Sequence, residues 1–333
     1  MYTGGLKGSE VLVTGASGSF GRAFVRTVLR KEEPARVVVF SRDEMKQYEM
    51  QQDSLLGEDR RLRYFIGDVR DADRLDMAMR GIDYVVHAAA LKQIPTAEYN
   101  PFECIHTNVM GAENVVRAAL RNGVKRVIGL STDKAANPTN LYGASKLAAD
   151  KIFIAANNFG ASVGTRFSVV RYGNVIGSRG SVIPFFRKLV AERADSIPIT
   201  DPRMTRFWIT LEQGVEFVLS SLRAMAGGEI FVPKLPSMKI VDLARAPAPG
   251  VPHRDVGIRA GEKLHEVMIT EDDGRTTYDL GDRYVIQPAF PFWDRGRERT
   301  AQGAKVIDPF RYASDQNDHW LTPEGLLELL DTV

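Results

Sequence analysis

The chain alternates between short unbroken apolar runs and longer stretches with helical spacing. The runs are "EVLVTG", "RVVVFSR", "LRYFIGDV", "DYVVHAAA" and "RVIGLST", followed by "FSVVRYGN" and "EIFVP". An apolar run without polar alternation suits a strand covered on both faces. Between the runs, apolar residues recur at helical intervals, as at Phe20, Phe24 and Val28. Repeated alternation of strand and helix predicts a Rossmann-type α/β fold, a doubly wound parallel sheet of about seven strands. From about residue 175 the runs thin out. There "GSRGSVIPFF", "PITDPRMTRFW" and "RAPAPGVPHRDVGIRAGEKLHE" read as loops with short helices, suited to covering a substrate. The expected division is a dinucleotide-binding domain over 1–174, to which 207–233 returns. Substrate-binding segments over 175–206 and 234–333 complete it. Thr322 is the expected N-cap of a last helix, with Pro323 at its first position. Met45, Met50, Met77 and Met79 lie on helical stretches and are expected to pack.

Composition adds exclusions. The 333 residues are 44% hydrophobic and 26% charged, the balance of a soluble globular protein. Lys and Arg total 44 against 42 Asp and Glu, a net charge of +2 that gives no reason to expect nucleic acid. The start "MYTGGLKGSE" lacks the apolar core of a signal peptide. No run reaches the ~18 apolar residues of a membrane helix. A cytoplasmic chain without a membrane span is expected. The single cysteine, Cys104, excludes an internal disulfide and reads as a buried thiol. Five scattered histidines offer no zinc-type spacing, so no metal is expected.

"VLVTGASGSFGRAF" follows the first strand and opens the first helix. Gly15 permits the tight turn, Gly18 lets backbone approach a pyrophosphate, and Gly21 lets helix and strand pack closely. The helix N-terminus offers free N–H groups to the phosphates. Ser17, Ser19 and Phe20 fill out the loop against the cofactor. NAD-binding folds usually end the second strand with an acidic residue. Here Ser41 and Arg42 stand at that tip, with Lys46 one turn on. Such cations suit a 2′-phosphate, so NADP is expected. Asp68 and Val69 are expected beside the adenine, and Ala88, Ala89 and Lys92 complete the cofactor set.

"STDKAANPTNLYGASKLAADK", residues 131–151, carries the candidate chemistry. Tyr142 and Lys146 stand at i and i+4, so on a helix they share a face. An ammonium near a phenol lowers its pKa, which makes Tyr142 usable as a base toward a hydroxyl. Thr132, at the tip of the fifth strand, is placed to orient the same hydroxyl.

With "FSRDEMKQ", "HAAALKQIPTAEYNP", "RYGNVIGSRGSVIPFF", "TDPRMTRFWI" and "GIRAGEKLHEVM", these segments resemble the extended short-chain dehydrogenase/reductases that act on nucleotide-activated sugars. Within that superfamily they look like the inverting UDP-N-acetylglucosamine 4,6-dehydratases of the pseudaminic acid pathway. A sister group in N-acetylfucosamine synthesis shares "STDKAA" but typically lacks the tyrosine. The resemblance implies a tightly bound NADP, recycled each turnover, and the substrate UDP-N-acetylglucosamine. It implies that Tyr142 takes the 4-hydroxyl proton, Lys134 as free amine takes the carbon-5 proton, and Asp133 as neutral acid protonates the departing 6-hydroxyl. Lys134 must then shed its proton near neutral pH, through burial or the cations Lys92 and Lys146. Asp133 and Lys134 are expected not to form a tight ion pair when substrate is bound.

The resemblance also implies a substrate site. Asn174 would bond near the diphosphate. Arg179, Gly180, Ser181, Val182, Ile183 and Pro184 would pass over the uridine. Arg206 and Arg259 would clamp the diphosphate, Lys92 and Glu262 would assist, and Asn317 would reach the sugar. His87 is expected in strand and cofactor packing. Ala260 stands where relatives usually have proline and is expected to loosen its loop. Relatives form homo-oligomers. Two other functions use this scaffold: a UDP-sugar 4-epimerase, which needs Tyr142 and Lys146 but no Asp133–Lys134 pair, and a catalytically silent NADP-binding regulator, which tends to lose the tyrosine or lysine.

Overall fold

The computed structural model describes residues 5–177, 182–290, 293 and 303–331. The apolar runs form β1 (Glu10–Thr14), β2 (Arg36–Ser41), β3 (Leu62–Ile66), β4 (Tyr84–His87), β5 (Arg126–Thr132) and β6 (Arg166–Tyr172). They lie in the order β6, β5, β4, β1, β2, β3, all parallel. Strand Ile230–Pro233 joins β6 in parallel as the seventh. The sheet then exceeds the seven expected strands. Arg283–Ile286, Thr277–Asp279 and Ala304–Lys305 extend it to ten, pairing antiparallel from the returning strand outward. These edge strands are only two to four residues long, too short for their alternation to register as a sequence pattern.

The reading of "PITDPRMTRFW" as loop is corrected. Thr205–Ile209 is a fully buried strand between Asn174–Val175 and Ser237–Lys239 in a second, three-stranded sheet. Its alternating faces serve two cores: Phe207 and Ile209 join the main one, and Trp208 a smaller one with Phe186, Leu243 and Leu326. The last helix, Pro323–Asp331, starts as expected, with Gly325 N donating to Thr322 Oγ1 at 3.1 Å. Met50 and Met79 are fully buried, but Met45 and Met77 are exposed, contrary to the packing expected of all four. Among the described residues no helix is long and apolar enough to cross a membrane.

In a parallel sheet the carboxyl ends of the strands share one edge, where ligands bind. Here that edge carries Gly15 after β1, Arg42 after β2, Ala88 after β4 and the Asp133–Ala135 turn after β5.

Candidate active site

The glycine loop closes over the end of β1. Gly15 has φ +65°, and a Cβ there would lie 2.8 Å from Ala89 N. A Cβ on Gly21 would lie 2.4 Å from Ala16 Cα. Neither position admits a side chain. Gly18 caps the helix Ser19–Lys31 with no side-chain hydrogen bond, and its N-terminus points its dipole to where an anion would sit. The loop opens onto a cavity of about 1140 Å³, beyond the ~300–1,000 Å³ usual for one small ligand. A nicotinamide dinucleotide fits this cradle.

The expected cofactor residues all line that cavity: Ser17, Ser19 and Phe20 in the loop, Ser41, Arg42 and Lys46 after β2, Asp68 and Val69 after β3, and Ala88, Ala89 and Lys92 after β4. The two cations have carboxylate neighbours. Arg42 Nη1 lies 3.7 Å from Asp68, and Lys46 Nζ 2.6 Å from Asp43. Asp43 also caps the helix Glu44–Gln51 by accepting from Lys46 N.

At the tip of β5 the chain enters a tight 3-10 turn, Asp133–Ala135, and then the helix Leu141–Ala155. Gly143 decides how closely the two approach, since a Cβ there would lie 2.2 Å from the Lys134 carbonyl oxygen. Asn140 Oδ1 caps the helix by accepting from Gly143 N at 2.8 Å. Tyr142 and Lys146 therefore face the cavity together with Thr132 and Lys134. Asp133 is fully buried behind them and does not line the cavity. Its Oδ1 accepts from Thr132 Oγ1 at 2.8 Å and from Lys134 Nζ at 2.9 Å.

Two electrostatic expectations are corrected. Burial pushes the Tyr142 phenol up to about 12, and the cation that chiefly opposes this is Lys134, followed by the Thr132 hydrogen bond. Lys134 itself stands above the ordinary lysine range. Burial alone lowers it, but Asp133 and Glu266 outweigh burial. The opposing cation nearby is Arg206, not Lys92 or Lys146. Lys146 is lowered by burial, with Asp150 and Cys104 acting against the shift.

Lys134 lies in a buried charge cluster. Its Nζ is 3.3 Å from Glu266 Oε1 and donates to Asn174 Oδ1 at 3.3 Å. Arg206, expected as a diphosphate clamp, reaches the cavity wall but donates to the carbonyls of Thr205, Lys263 and Leu264. Arg259 is mostly exposed, with Glu262 3.9 Å away, and both line the cavity. Lys263 donates to the Ala136 carbonyl, and Thr139 and Asn140 donate to that of Gly261. Those bonds tie the loop after Ala260 to the segment that follows β5, so the loosening expected there is not seen.

Other expectations sort as follows. Val182 and Pro184 line the cavity, whereas the Ile183 side chain packs in the smaller core. Arg179, Gly180 and Ser181 lie outside the described residues. Asn317 is corrected. Its Nδ2 donates to Leu235 O, Ser237 Oγ and His319 O, so it pins the C-terminal segment and does not line the cavity. His87 is buried, bonded to Thr14 and tilted against Phe153, as packing requires. Cys104 is buried within hydrogen-bonding reach of Ser145 and Asn108. Among the described residues no cluster of His, Cys, Asp and Glu could hold a metal ion.

The pattern of polysaccharide biosynthesis proteins matches residues 11–288. The chain belongs to the polysaccharide biosynthesis protein family. One relative in Campylobacter jejuni, UDP-N-acetylglucosamine 4,6-dehydratase (inverting), is 54% identical over 97% of this chain and 98% of its own. A UDP-glucose 4-epimerase of Rickettsia bellii is 43% identical over 83% and 82%. Among solved structures, Pen from Bacillus thuringiensis is 34% identical, with a TM-score of 0.89 over 98% of both chains. The dTDP-glucose 4,6-dehydratase DesIV of Streptomyces venezuelae, solved with NAD and TYD bound, is 25% identical, with a TM-score of 0.67 over 77% and 86%.

Four charged residues around the Asp133–Ala135 turn escaped the sequence reading. Glu266 and Lys263 come from a loop distant in sequence. Asp150 stands four residues past Lys146 on the same helix, a spacing that could have flagged it. Its Oδ2 accepts from Ser131 Oγ at 2.8 Å and from Arg171 at 3.4 Å. Arg171 is a lone charge inside the buried run "FSVVRYGN", which was also a signal. It donates to Met268 O and Asp273 as well, joining the helix Leu141–Ala155 to the C-terminal segments.

Proposed function

We propose that this chain is an NADP-dependent UDP-N-acetylglucosamine 4,6-dehydratase that inverts carbon 5, the step that opens pseudaminic acid synthesis. The observation that carries the reading is the meeting of Lys134 and Tyr142 on one cavity wall, beside a loop that only glycine can form. A 4-epimerase needs the loop and the tyrosine, but no amine for carbon 5. The Asp133–Lys134 turn favours the dehydratase, as does the higher identity to the relative of that name. The same reading makes the enzyme a cytoplasmic homo-oligomer that keeps its NADP through successive turnovers. Its dinucleotide-binding domain spans 1–174 with 207–233, and the remaining segments hold the nucleotide sugar.

Arg42 and Lys46 would hold the 2′-phosphate and the glycine loop the pyrophosphate. When bound, the nicotinamide supplies the hydride chemistry, accepting from carbon 4 and giving back to carbon 6. Tyr142 takes the proton of the 4-hydroxyl, with the Lys134 ammonium as the cation that chiefly opposes the upward shift of the buried phenol. The resulting ketone acidifies the carbon-5 proton. Lys134 then passes its ammonium proton to Asp133 Oδ1, 2.9 Å away, and as free amine takes the carbon-5 proton. Asp133, neutral once it holds the Lys134 proton, supplies the proton for the departing 6-hydroxyl, and Thr132, which lines the cavity with Oγ1 2.8 Å from Asp133 Oδ1, relays it by turning its own O–H to the sugar. Protonation of carbon 5 from the opposite face inverts it. Asn174, Arg206, Arg259 and Glu262, with Lys92 beside the cofactor, bound the space left for the sugar diphosphate.

Incubation with UDP-N-acetylglucosamine and NADP, followed by mass spectrometry, tests the assignment. The dehydratase yields a product lighter by one water, and NMR in heavy water shows deuterium at an inverted carbon 5. An isomer of unchanged mass identifies an epimerase, and no product identifies a regulator. Lys134→Ala should lower turnover by about 100- to 10,000-fold.

A further inference from the structure

Glu266 stands at the centre of the charge cluster behind Lys134. It is 2% exposed and still reaches the cavity wall. Its Oε1 lies 3.3 Å from Lys134 Nζ and 3.6 Å from Arg206 Nε. Its Oε2 has no hydrogen-bond partner among the described residues, and Lys263 Nζ lies 3.9 Å from it. The backbone is fixed more firmly than the carboxylate, because Glu266 N donates to Ser314 Oγ at 2.9 Å. A buried carboxylate of this kind persists only because cations surround it. Three do so, from three places: Lys134 on the turn after β5, Arg206 on the strand Thr205–Ile209, and Lys263 on the same loop.

We infer that Glu266 is a positioning residue for Lys134: its carboxylate, held between Arg206 and Lys263, aims the Lys134 amine into the cavity and governs when that amine gives up its proton. The inference rests on the reading of Lys134 as the base. Asp133 is the other carboxylate on the amine, at 2.9 Å. Asp133 accepts a hydrogen bond from Thr132 Oγ1 on the same oxygen, so it is tied to the turn. Glu266 comes from the C-terminal half and is the only one of the two carboxylates to line the cavity. It therefore links the charge of the amine to the segment that covers the sugar. Arg206 works against Glu266 at Lys134, and Asn174 Oδ1 accepts a hydrogen bond from the amine without adding charge.

The chemistry has a consequence for proton balance. Abstraction of the carbon-5 proton forms one N–H bond on Lys134 as one C–H bond breaks. That proton must leave nitrogen before the next abstraction, and both carboxylates are within reach of the ammonium. While Glu266 is charged it holds the proton on nitrogen; passage of that proton from Nζ to Glu266 Oε1, 3.3 Å away, breaks the N–H bond, forms an O–H bond and frees the amine, and the neutral acid then loses the proton to water in the cavity.

The test is the pH dependence of Lys134 modification in the full chain. Trace acetic anhydride labels only free amines, and mass spectrometry quantifies Lys134 against the exposed Lys151. Glu266→Gln keeps the shape and removes the charge, so the labelling midpoint of Lys134 should fall by about 1 to 3 pH units. Glu266→Asp keeps the charge but withdraws it, and should give a smaller fall. If Glu266→Gln does not fold, Glu266→Asp decides alone. An unchanged midpoint in every folded variant overturns the inference, because a merely structural role would not move it. In turnover, the acid limb for water loss should move to lower pH in Glu266→Gln, with KM for the sugar little changed. Labelling needs no substrate. A parent enzyme that yields no dehydrated sugar overturns the functional reading, while the labelling shift still judges the pair.

Discussion

Lys134, eight residues before Tyr142 in the chain, is the cation that chiefly opposes the burial of the Tyr142 phenol. The helical partner Lys146, four residues after the tyrosine, shares its face but is itself driven toward the neutral form by burial. The pairing that matters for the phenol is thus made across a turn rather than along a helix. It depends on how closely the turn after β5 lies against the helix Leu141–Ala155.

That approach predicts the effect of Gly143→Ala. A methyl group at this position meets the Lys134 carbonyl oxygen at 2.2 Å, so either the turn or the helix must move. Displacement of the two bases by about 1 Å should slow turnover about 100-fold. Cofactor affinity should hold, because the glycine loop lies elsewhere. Steady-state rates set beside NADP titrations check this, and parent-like turnover would show that the contact is not critical.

The choice between dinucleotides should be set after β2. Arg42→Ala combined with Lys46→Ala should weaken NADP by about tenfold to a hundredfold and leave NAD nearly unchanged. Calorimetric titration of both dinucleotides measures the difference. Equal losses for the two would mean that these cations do not meet a 2′-phosphate.

Acid stability should bear the mark of His87. Burial, and then the charge of Lys146, depress its pKa from 6.5 to about 3. The unfolded chain therefore takes up this proton first as pH falls. The contribution is intact above about pH 6.5 and is eroded as pH falls to about 3, by at most about 1.4 kcal/mol per unit. Denaturant unfolding at pH 7 and pH 5 should show a smaller loss for His87→Gln than for the parent. An identical loss in both would assign the acid sensitivity to the carboxylates.

The parallel core was legible because each of its strands is an unbroken apolar run, and such runs have few other places to go than the middle of a sheet. The glycine loop was legible for a similar reason. Gly15 and Gly21 answer to backbone a few residues or one strand away, and that demand is written locally. The strand Thr205–Ile209 was not legible, since its alternate faces enter two different cores and no single-faced pattern results. Asn317 was misassigned because a polar side chain in a loop looks the same whether it binds a sugar or three carbonyl and hydroxyl groups.

By itself, then, the sequence determined which residues form the seven-stranded parallel core of the sheet, where the phosphate cradle lies and which side chains are candidates for the chemistry. These rest on interactions between near neighbours in the chain. Only the tertiary structure decided the charge on Lys134 and on Tyr142. Glu266 approaches Lys134 from 132 positions away, and burial comes from segments throughout the chain. Coulomb energy depends on distance and surrounding polarity, and neither can be read from spacing in sequence.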